Sequence, residues 1–313
     1  MLMLRSMVLT AAGVPVVHHF VTDHPLGQKM ASRFVAGQTL DDAMRVVQEL
    51  NGRGIKVSLD HLGENTTNAA EAEATAADYV AILDRIAQTG ADANISVKLT
   101  ALGLDIGEDL CLRNMRRVLD SACRHNIFVR IDMEGSAYTE PTLRLTHLLH
   151  AEYAGKCDVP GGVVGTVIQS MLYRSADDVA QLVADKIRVR LVKGAYREPP
   201  SVAFPDKFDV DEHYRQLMRT LLLQGVYPAI ATHDEKLIHE AQRIARDHDL
   251  PRDGFEFQML YGIRRDLQEQ LVRDGYNVRV YVPYGTQWYP YLTRRMAERP
   301  ANLIFVLSNA VRG

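Results

Sequence analysis

The chain has 313 residues, 47% of them hydrophobic and 24% charged, with a formal net charge of −3. That composition is globular, and the length fits two domains or one (β/α)8 barrel of roughly 250 residues with additions. The charge excludes a dedicated nucleic-acid binder, which needs a basic excess to neutralise phosphates, and no run approaches the ~18 consecutive apolar residues of a spanning helix.

Residues 1–17 place Arg5 ahead of an apolar stretch but show no cleavage region, so they read as a packing arm rather than a signal peptide. Thr39 reads as an N-cap with Asp41 and Asp42 in the first turn, and Gly52 and Gly54 close that helix. One pattern then repeats. A strand at 55–59 precedes a helix at 68–88, and strand 94–99 precedes helix 109–124. Strand 128–133 leads to helix 140–153, and strand 163–170 to helix 175–184. Strand 189–193 leads to helix 210–224, and strand 229–233 to helix 235–247. The last two units are strand 255–260 with helix 264–273 and strand 278–282 with helix 287–298. Eight β-then-α units predict an α/β fold of the (β/α)8 TIM type, with a doubly wound open sheet as the alternative. No linker divides the chain, so residues 1–313 are expected to form one domain, 1–54 as an N-terminal helical arm and 55–313 as the barrel.

Cys111, Cys123 and Cys157 form no C-x-x-C, so no disulfide is expected; they read as small buried hydrophobes in a reducing compartment. Several strands alternate where buried parallel strands are usually apolar throughout. Ile55, Val57 and Leu59 interleave with Lys56, Ser58 and Asp60; Ile95, Val97 and Leu99 with Ser96, Lys98 and Thr100; Val129, Ile131 and Met133 with Arg130, Asp132 and Glu134. Period two sends the polar set into the lumen, where charges must pair. Ion pairing is therefore expected for Lys56, Asp60, Arg130 and Glu134. Lys98 and Asp132, at the C-terminal strand ends where barrels keep their chemistry, read as functional.

No dinucleotide fingerprint follows a strand and no P-loop is present. The eleven histidines lack metal-ligand spacing, so no metal is expected. At the strand-five end, Arg190 points into the lumen, Gly194 permits close backbone approach, and Lys193 with the local amides suits a phosphate. Thr232 and His233 sit at the rim after strand six, and Gln169 offers a two-way hydrogen bonder that serves structure or a heterocycle edge equally. On the last helix, Arg294 and Arg295 beside Tyr291 suit capture of a small carboxylate. A local pair with Glu298 is the other reading.

Together these stretches resemble the proline dehydrogenase family. They are Ser58-Leu-Asp-His-Leu-Gly-Glu64, Ile95-Ser-Val-Lys98-Leu, Arg130-Ile-Asp132-Met-Glu134, Val167-Ile-Gln169 and Arg190-Leu-Val-Lys-Gly-Ala-Tyr196. Thr232-His233, Phe255-Glu-Phe-Gln-Met-Leu260, Arg279-Val-Tyr281-Val-Pro and Tyr291-Leu-Thr-Arg-Arg295 complete the set. The resemblance implies a distorted barrel carrying FAD and oxidising L-proline to Δ1-pyrroline-5-carboxylate by hydride transfer to flavin N5. It places Met133, Gln169, Arg190, Lys193, Gly194, Ala195, Thr232 and His233 around FAD. Lys98, Leu260, Tyr281, Tyr291, Arg294 and Arg295 would hold substrate, Asp132 and Arg190 would be the catalytic polar groups, and Glu64 would pair with Arg294 as a gate. It also implies the monofunctional bacterial form, electrons passed to membrane quinone, pyrroline-5-carboxylate dehydrogenase as a possible partner, and a cytoplasmic enzyme peripherally associated with the inner membrane. The alternative is a Schiff-base lyase or aldolase on the same fold, with Lys98 or Lys193 as nucleophile.

Overall fold

The structure is a computed structural model that describes residues 31–63 and 66–298, with the backbone alone for 294–298. Its first helix, α1 (Leu40–Asn51), starts where the sequence demands. Thr39 Oγ1 accepts from the Asp42 amide at 3.2 Å, and the Asp42 carboxylate accepts from the Thr39 amide at 3.1 Å. This reciprocal cap satisfies two otherwise orphaned donors and is worth about 0.5–2 kcal/mol.

Eight parallel strands follow: β1 (Lys56–His61), β2 (Ala93–Val97), β3 (Val129–Ile131), β4 (Val164–Gln169), β5 (Val189–Val192), β6 (Ala229–Ala231), β7 (Glu256–Leu260) and β8 (Asn277–Tyr284). They close in sequence order, β8 pairing back onto β1, so the barrel expectation holds and the open sheet is excluded. The crossover helices are α2 (Ala69–Thr89), α3 (Glu108–Arg124), α4 (Thr139–Glu152), α5 (Ser175–Ala184), α6 (Lys207–Gln224), α7 (Glu235–Asp247) and α8 (Arg265–Arg273), and α9 (Trp288–Glu298) follows β8. Asn68 and Asp234 cap α2 and α7 through their side-chain oxygens.

Core and lumen divide as the alternation requires. Val57, Leu59, Ile95, Val97, Val129 and Ile131 are fully buried in one continuous apolar cluster with Tyr79, Ile82 and Leu83 of α2 and Met115, Val118 and Leu119 of α3. A smaller cluster ties Ala31, Phe34 and Val35 to Leu62 and to Trp288, Tyr291 and Leu292 of α9.

Several strands end one or two residues early. Lys98, Asp132, Lys193, Thr232 and His233 all lie just beyond their strands, on the C-terminal rim. Backbone pairing persists there (the Asp132 amide donates to the Val97 carbonyl at 2.8 Å), which holds these loops rigidly.

Two expectations are corrected. Cys123 and Cys157 are disulfide-bonded, their Cα atoms 5.1 Å apart, tying the end of α3 to the turn after α4; only Cys111 matches the buried free thiol expected. Thirty-four residues separate the pair, so no local spacing advertises it. Nor does Arg130 form an ion pair. Its Nη1 donates to the carbonyls of Thr166 (2.9 Å) and Arg188 (2.8 Å), and its guanidinium stacks on Phe128, 4.6 Å from the ring centre. The carbonyls of Thr166 on β4 and of Arg188, just before β5, take the place of the carboxylate.

Candidate active site

Strand register brings the polar side chains of five strands to one level at the C-terminal mouth. Ser58 lies opposite Tyr281 and Asp60 opposite Ser96, and β7 and β8 place Leu260 opposite Tyr281. At the centre lies Arg190. Its Nη1 donates to Asp132 Oδ1 at 2.7 Å, its Nε to Gln258 Oε1 at 2.5 Å, and its Nη2 to Ser96 Oγ at 3.0 Å and Ser58 Oγ at 3.4 Å. The other Asp132 oxygen accepts from the Tyr281 hydroxyl at 2.7 Å. Lys98 Nζ sits 2.8 Å from Asp60 Oδ1 and 3.8 Å from Asp132 Oδ2. The two cations and two carboxylates interlock, which satisfies the requirement that buried charges be paired.

Burial pushes the Asp60 carboxyl up; the Lys98 charge opposes this and the neighbouring Asp132 adds to it. Burial and the charges of Asp132 and Asp60 push the Tyr281 phenol well above its ordinary range. Tyr281 therefore keeps its proton across the physiological range and acts as a donor to Asp132.

The remaining expected residues ring this centre. Gln169 is buried and donates through Nε2 to the Glu134 carbonyl at 2.9 Å. Glu134, expected to pair ionically, accepts from the Thr100 amide at 3.2 Å and hydroxyl at 2.6 Å. Met133 is buried. Gly194 has φ +108°, and a Cβ there would meet Met171 Sδ at 2.3 Å; both the backbone conformation and the space demand glycine. Lys193 bridges Asp211 (2.6 Å) and Asp234 (3.2 Å), while Ala195 follows Gly194 on the same loop. Thr232 Oγ1 accepts from the Asp234 amide, and His233 Nε2 accepts from the Leu260 amide at 3.0 Å, which fixes the imidazole as the tautomer with its proton on Nδ1. Tyr291 is buried in the cluster with Trp288 and Phe34. Glu64 and the side chains of Arg294, Arg295 and Glu298 lie outside the described residues, and with them the expected gate.

Sequence reasoning left out Ser58, Ser96 and Gln258, which fix Arg190. The signal was available: all three stand on the lumen-facing alternation of strands already recognised, at the level of Arg190. Among the described residues no three acidic, histidine or cysteine side chains gather as a metal site, and no helix is long and apolar enough to cross a membrane.

The profile of the family described as proline dehydrogenase matches residues 43–307. Proline dehydrogenase 1 of Bacillus subtilis subsp. natto is 42% identical over 282 residues, spanning 90% of this chain and 91% of the relative. The proline dehydrogenase of Deinococcus radiodurans is also 42% identical, over 315 residues, 99% of this chain and 98% of the relative. Among solved structures, proline utilization A from Bdellovibrio bacteriovorus, inactivated by N-propargylglycine, superimposes with a TM-score of 0.80 at 27% identity. That match covers 86% of this chain but only 32% of the longer one, so this chain spans about a third of that protein. A profile matching most of the chain, relatives matched almost end to end, and a closed eight-stranded barrel agree: the chain belongs to the proline dehydrogenase family, oxidoreductases of proline catabolism.

Proposed function

We propose that the protein oxidises L-proline to Δ1-pyrroline-5-carboxylate using bound FAD, and that the electrons pass on to a membrane quinone. The observation that carries this reading is the Asp132–Arg190–Tyr281 cluster at the C-terminal mouth, where barrels place their chemistry. When bound, the isoalloxazine would supply the two-electron acceptor, receiving hydride at N5.

The residues present fit such a group. Gly194, with its left-handed backbone packed against Met171, keeps a side chain off the loop that would face the cofactor, and the Gln169 amide is anchored at one end with its oxygen left to accept from a heterocycle. Arg190, held on four sides, would present fixed positive charge at the flavin's reactive edge and tune its electronics without reorganising. Met133, Lys193, Ala195, Thr232 and His233 complete the cofactor set in this reading. The pairing of Lys193 with Asp211 and Asp234 makes it a positioning group for that loop as well as a cation.

For substrate, Lys98 with Arg294 and Arg295 would hold the carboxylate, while Tyr281, Leu260 and Tyr291 would wall the ring. Orientation is the protein's main contribution, since hydride leaves the carbon beside the ring nitrogen only if that C–H is aimed at the acceptor. The Schiff-base alternative is disfavoured because each candidate amine lies between two carboxylates, Lys98 with Asp60 and Asp132, Lys193 with Asp211 and Asp234. Peripheral contact with the inner membrane from the cytoplasmic side, where quinone is met, belongs to the same proposal and rests on the family relationship, as does hand-over of product to pyrroline-5-carboxylate dehydrogenase.

The test is a visible spectrum of the purified protein before and after anaerobic L-proline. A yellow protein bleached by proline is the expected result; a colourless protein that takes up no added FAD, or trapping of a lysine adduct by borohydride, overturns the reading.

A further inference from the structure

The two ends of the lumen are built differently. At the C-terminal mouth Lys98 and Arg190 are met by Asp60 and Asp132. At the N-terminal end Arg130, Arg188 and Arg279 gather around a single buried carboxylate, Glu256. Arg279 holds that carboxylate through Nε, 3.0 Å from both its oxygens, and spends Nη1 on the Val57 carbonyl at 2.8 Å. Glu256 is thereby committed.

Arg188 is left over. Its guanidinium carbon lies 4.0 Å from the Phe128 ring centre and 4.6 Å from that of Tyr227, so aromatic rings cover it. Stacking satisfies the face of a guanidinium, never the N–H groups on its edge. No side-chain hydrogen bond or ion pair of Arg188 exists among the described residues. Its Nε is fully buried without a partner, and so are Nε and Nη2 of Arg130, which stacks on the same Phe128 ring. Buried donors left unsatisfied are costly and rare. Gly165 makes this stacking possible, because a Cβ there would strike the Arg188 carbonyl at 2.3 Å and the Phe128 ring at 2.9 Å.

Arg188 and Arg279 line an open cleft of about 490 Å³ with Asn94, Asn126, Phe128 and Pro160. These residues stand at the starts of β2 to β5 and β8 or in the turns before them, so the cleft lies at the end of the barrel opposite the Arg190 site. Asn94 adds a buried side-chain oxygen with no partner. The other ionisable groups lining it are already engaged, Asp92 with Lys56 at 3.6 Å and His125 with Asp84 at 2.8 Å.

We propose that this N-terminal cleft is a second binding site, taking a tetrahedral oxyanion of the phosphate or sulfate class on the edge of Arg188. Such an ion brings acceptors to donors that lack them and offsets the surplus positive charge. The Asn94 amide, turned to present its NH2 group, donates to the same ion. The site is independent of the flavin reading above.

The test is equilibrium dialysis of the holoenzyme against radiolabelled inorganic phosphate. One saturable phosphate per chain is expected, displaced by sulfate and retained when tetrahydrofuran-2-carboxylate saturates the proline site. Arg188→Leu should weaken phosphate binding at least tenfold. Should that variant fail to fold, Asn94→Asp provides the second measurement. It places a fixed carboxylate of the same shape in the cleft, and should likewise cut phosphate affinity at least tenfold while kcat and KM for proline stay unchanged. Absence of saturable binding, displacement of phosphate by the proline analogue, or full affinity in Asn94→Asp overturns the proposal.

Discussion

Arg190 on β5 and Asp132 just beyond β3 meet at 2.7 Å across the barrel mouth, 58 positions apart in sequence, with no room for water between them. Removing one partner of so enclosed a pair leaves the other charge stranded, which costs about 3–5 kcal/mol. Asp132→Ala is therefore expected to lower stability by about that amount and to abolish proline oxidation. The double variant Asp132→Ala/Arg190→Met should recover part of the stability and none of the activity. Urea titrations of the wild type, Asp132→Ala, Arg190→Met and the double variant decide the matter. Additive losses would mean that the two groups do not interact in solution.

The Tyr281 hydroxyl donates to Asp132, and the Arg190 guanidinium carbon lies 5.3 Å from its ring centre. Replacing it by serine opens space where the proposed proline ring lies. Tyr281→Ser should relax discrimination against 4-hydroxyproline by about tenfold, the order of one lost steric contact. The ratio of kcat/KM for the two substrates checks this, and an unchanged ratio removes Tyr281 from the pocket wall.

In the proposed reading Arg295, on α9, would hold the substrate carboxylate. A charge-assisted hydrogen bond contributes about 1.5–3 kcal/mol, so Arg295→Met should reduce kcat/KM by about one to two orders of magnitude. Binding that persists unchanged into the transition state appears mainly in KM. Tetrahydrofuran-2-carboxylate should lose affinity in parallel. If KM and inhibitor affinity both stay at wild-type values, Arg295 serves only a surface pair with Glu298.

Glu256 supplies a pH signature of the barrel's lower half. Burial opposes its ionisation, but the charge and hydrogen bonds of Arg279, aided by Arg188, hold its carboxyl down at about 2, against an ordinary value of 4.5. A carboxyl whose folded value is depressed stabilises the protein fully above its unfolded value, and that stability is lost as pH falls through the folded one. The loss should fall between pH 4.5 and about 2 and amount to about 3 kcal/mol. Glu256→Gln should be less stable at neutral pH and show a flatter acid limb in Tm against pH. Identical limbs would place the acid sensitivity elsewhere.

The barrel and the lumen-facing set of polar residues were legible because period-two alternation is a local signal. Lys56–Asp60 and Arg130–Glu134 announce a lumen before any strand pairs. Which lumen charges join was not legible, since it depends on register between strands far apart. Arg130 reads like Arg190, yet Gly165 beside it leaves space for Phe128 to cover the Arg130 guanidinium, and the carbonyls of Thr166 and Arg188 reach it first. The Cys123–Cys157 bond escaped for the same reason: its partners belong to separate β/α units, and only the helix ends bring them together. Strand ends were read too long where polar rim residues continue the alternation past the regular ladder, as at Thr232 and His233 beyond β6.

The seam between β1 and β8 has a consequence for how the chain is made. Six residue pairs, Lys56 with Arg279 through His61 with Tyr284, join segments far apart in the chain, and the hydrogen bond from Arg279 to the Val57 carbonyl spans 222 positions. Contacts of that separation form late. A nascent chain that has not yet extruded β8 therefore holds its first strand with one edge unpaired, and an exposed parallel edge is a template for other chains. Glu256, too, waits in that intermediate without the guanidinium that neutralises it. Truncation anywhere before β8 should thus yield aggregate rather than a smaller soluble barrel, and demand on chaperones should persist until β8 has emerged.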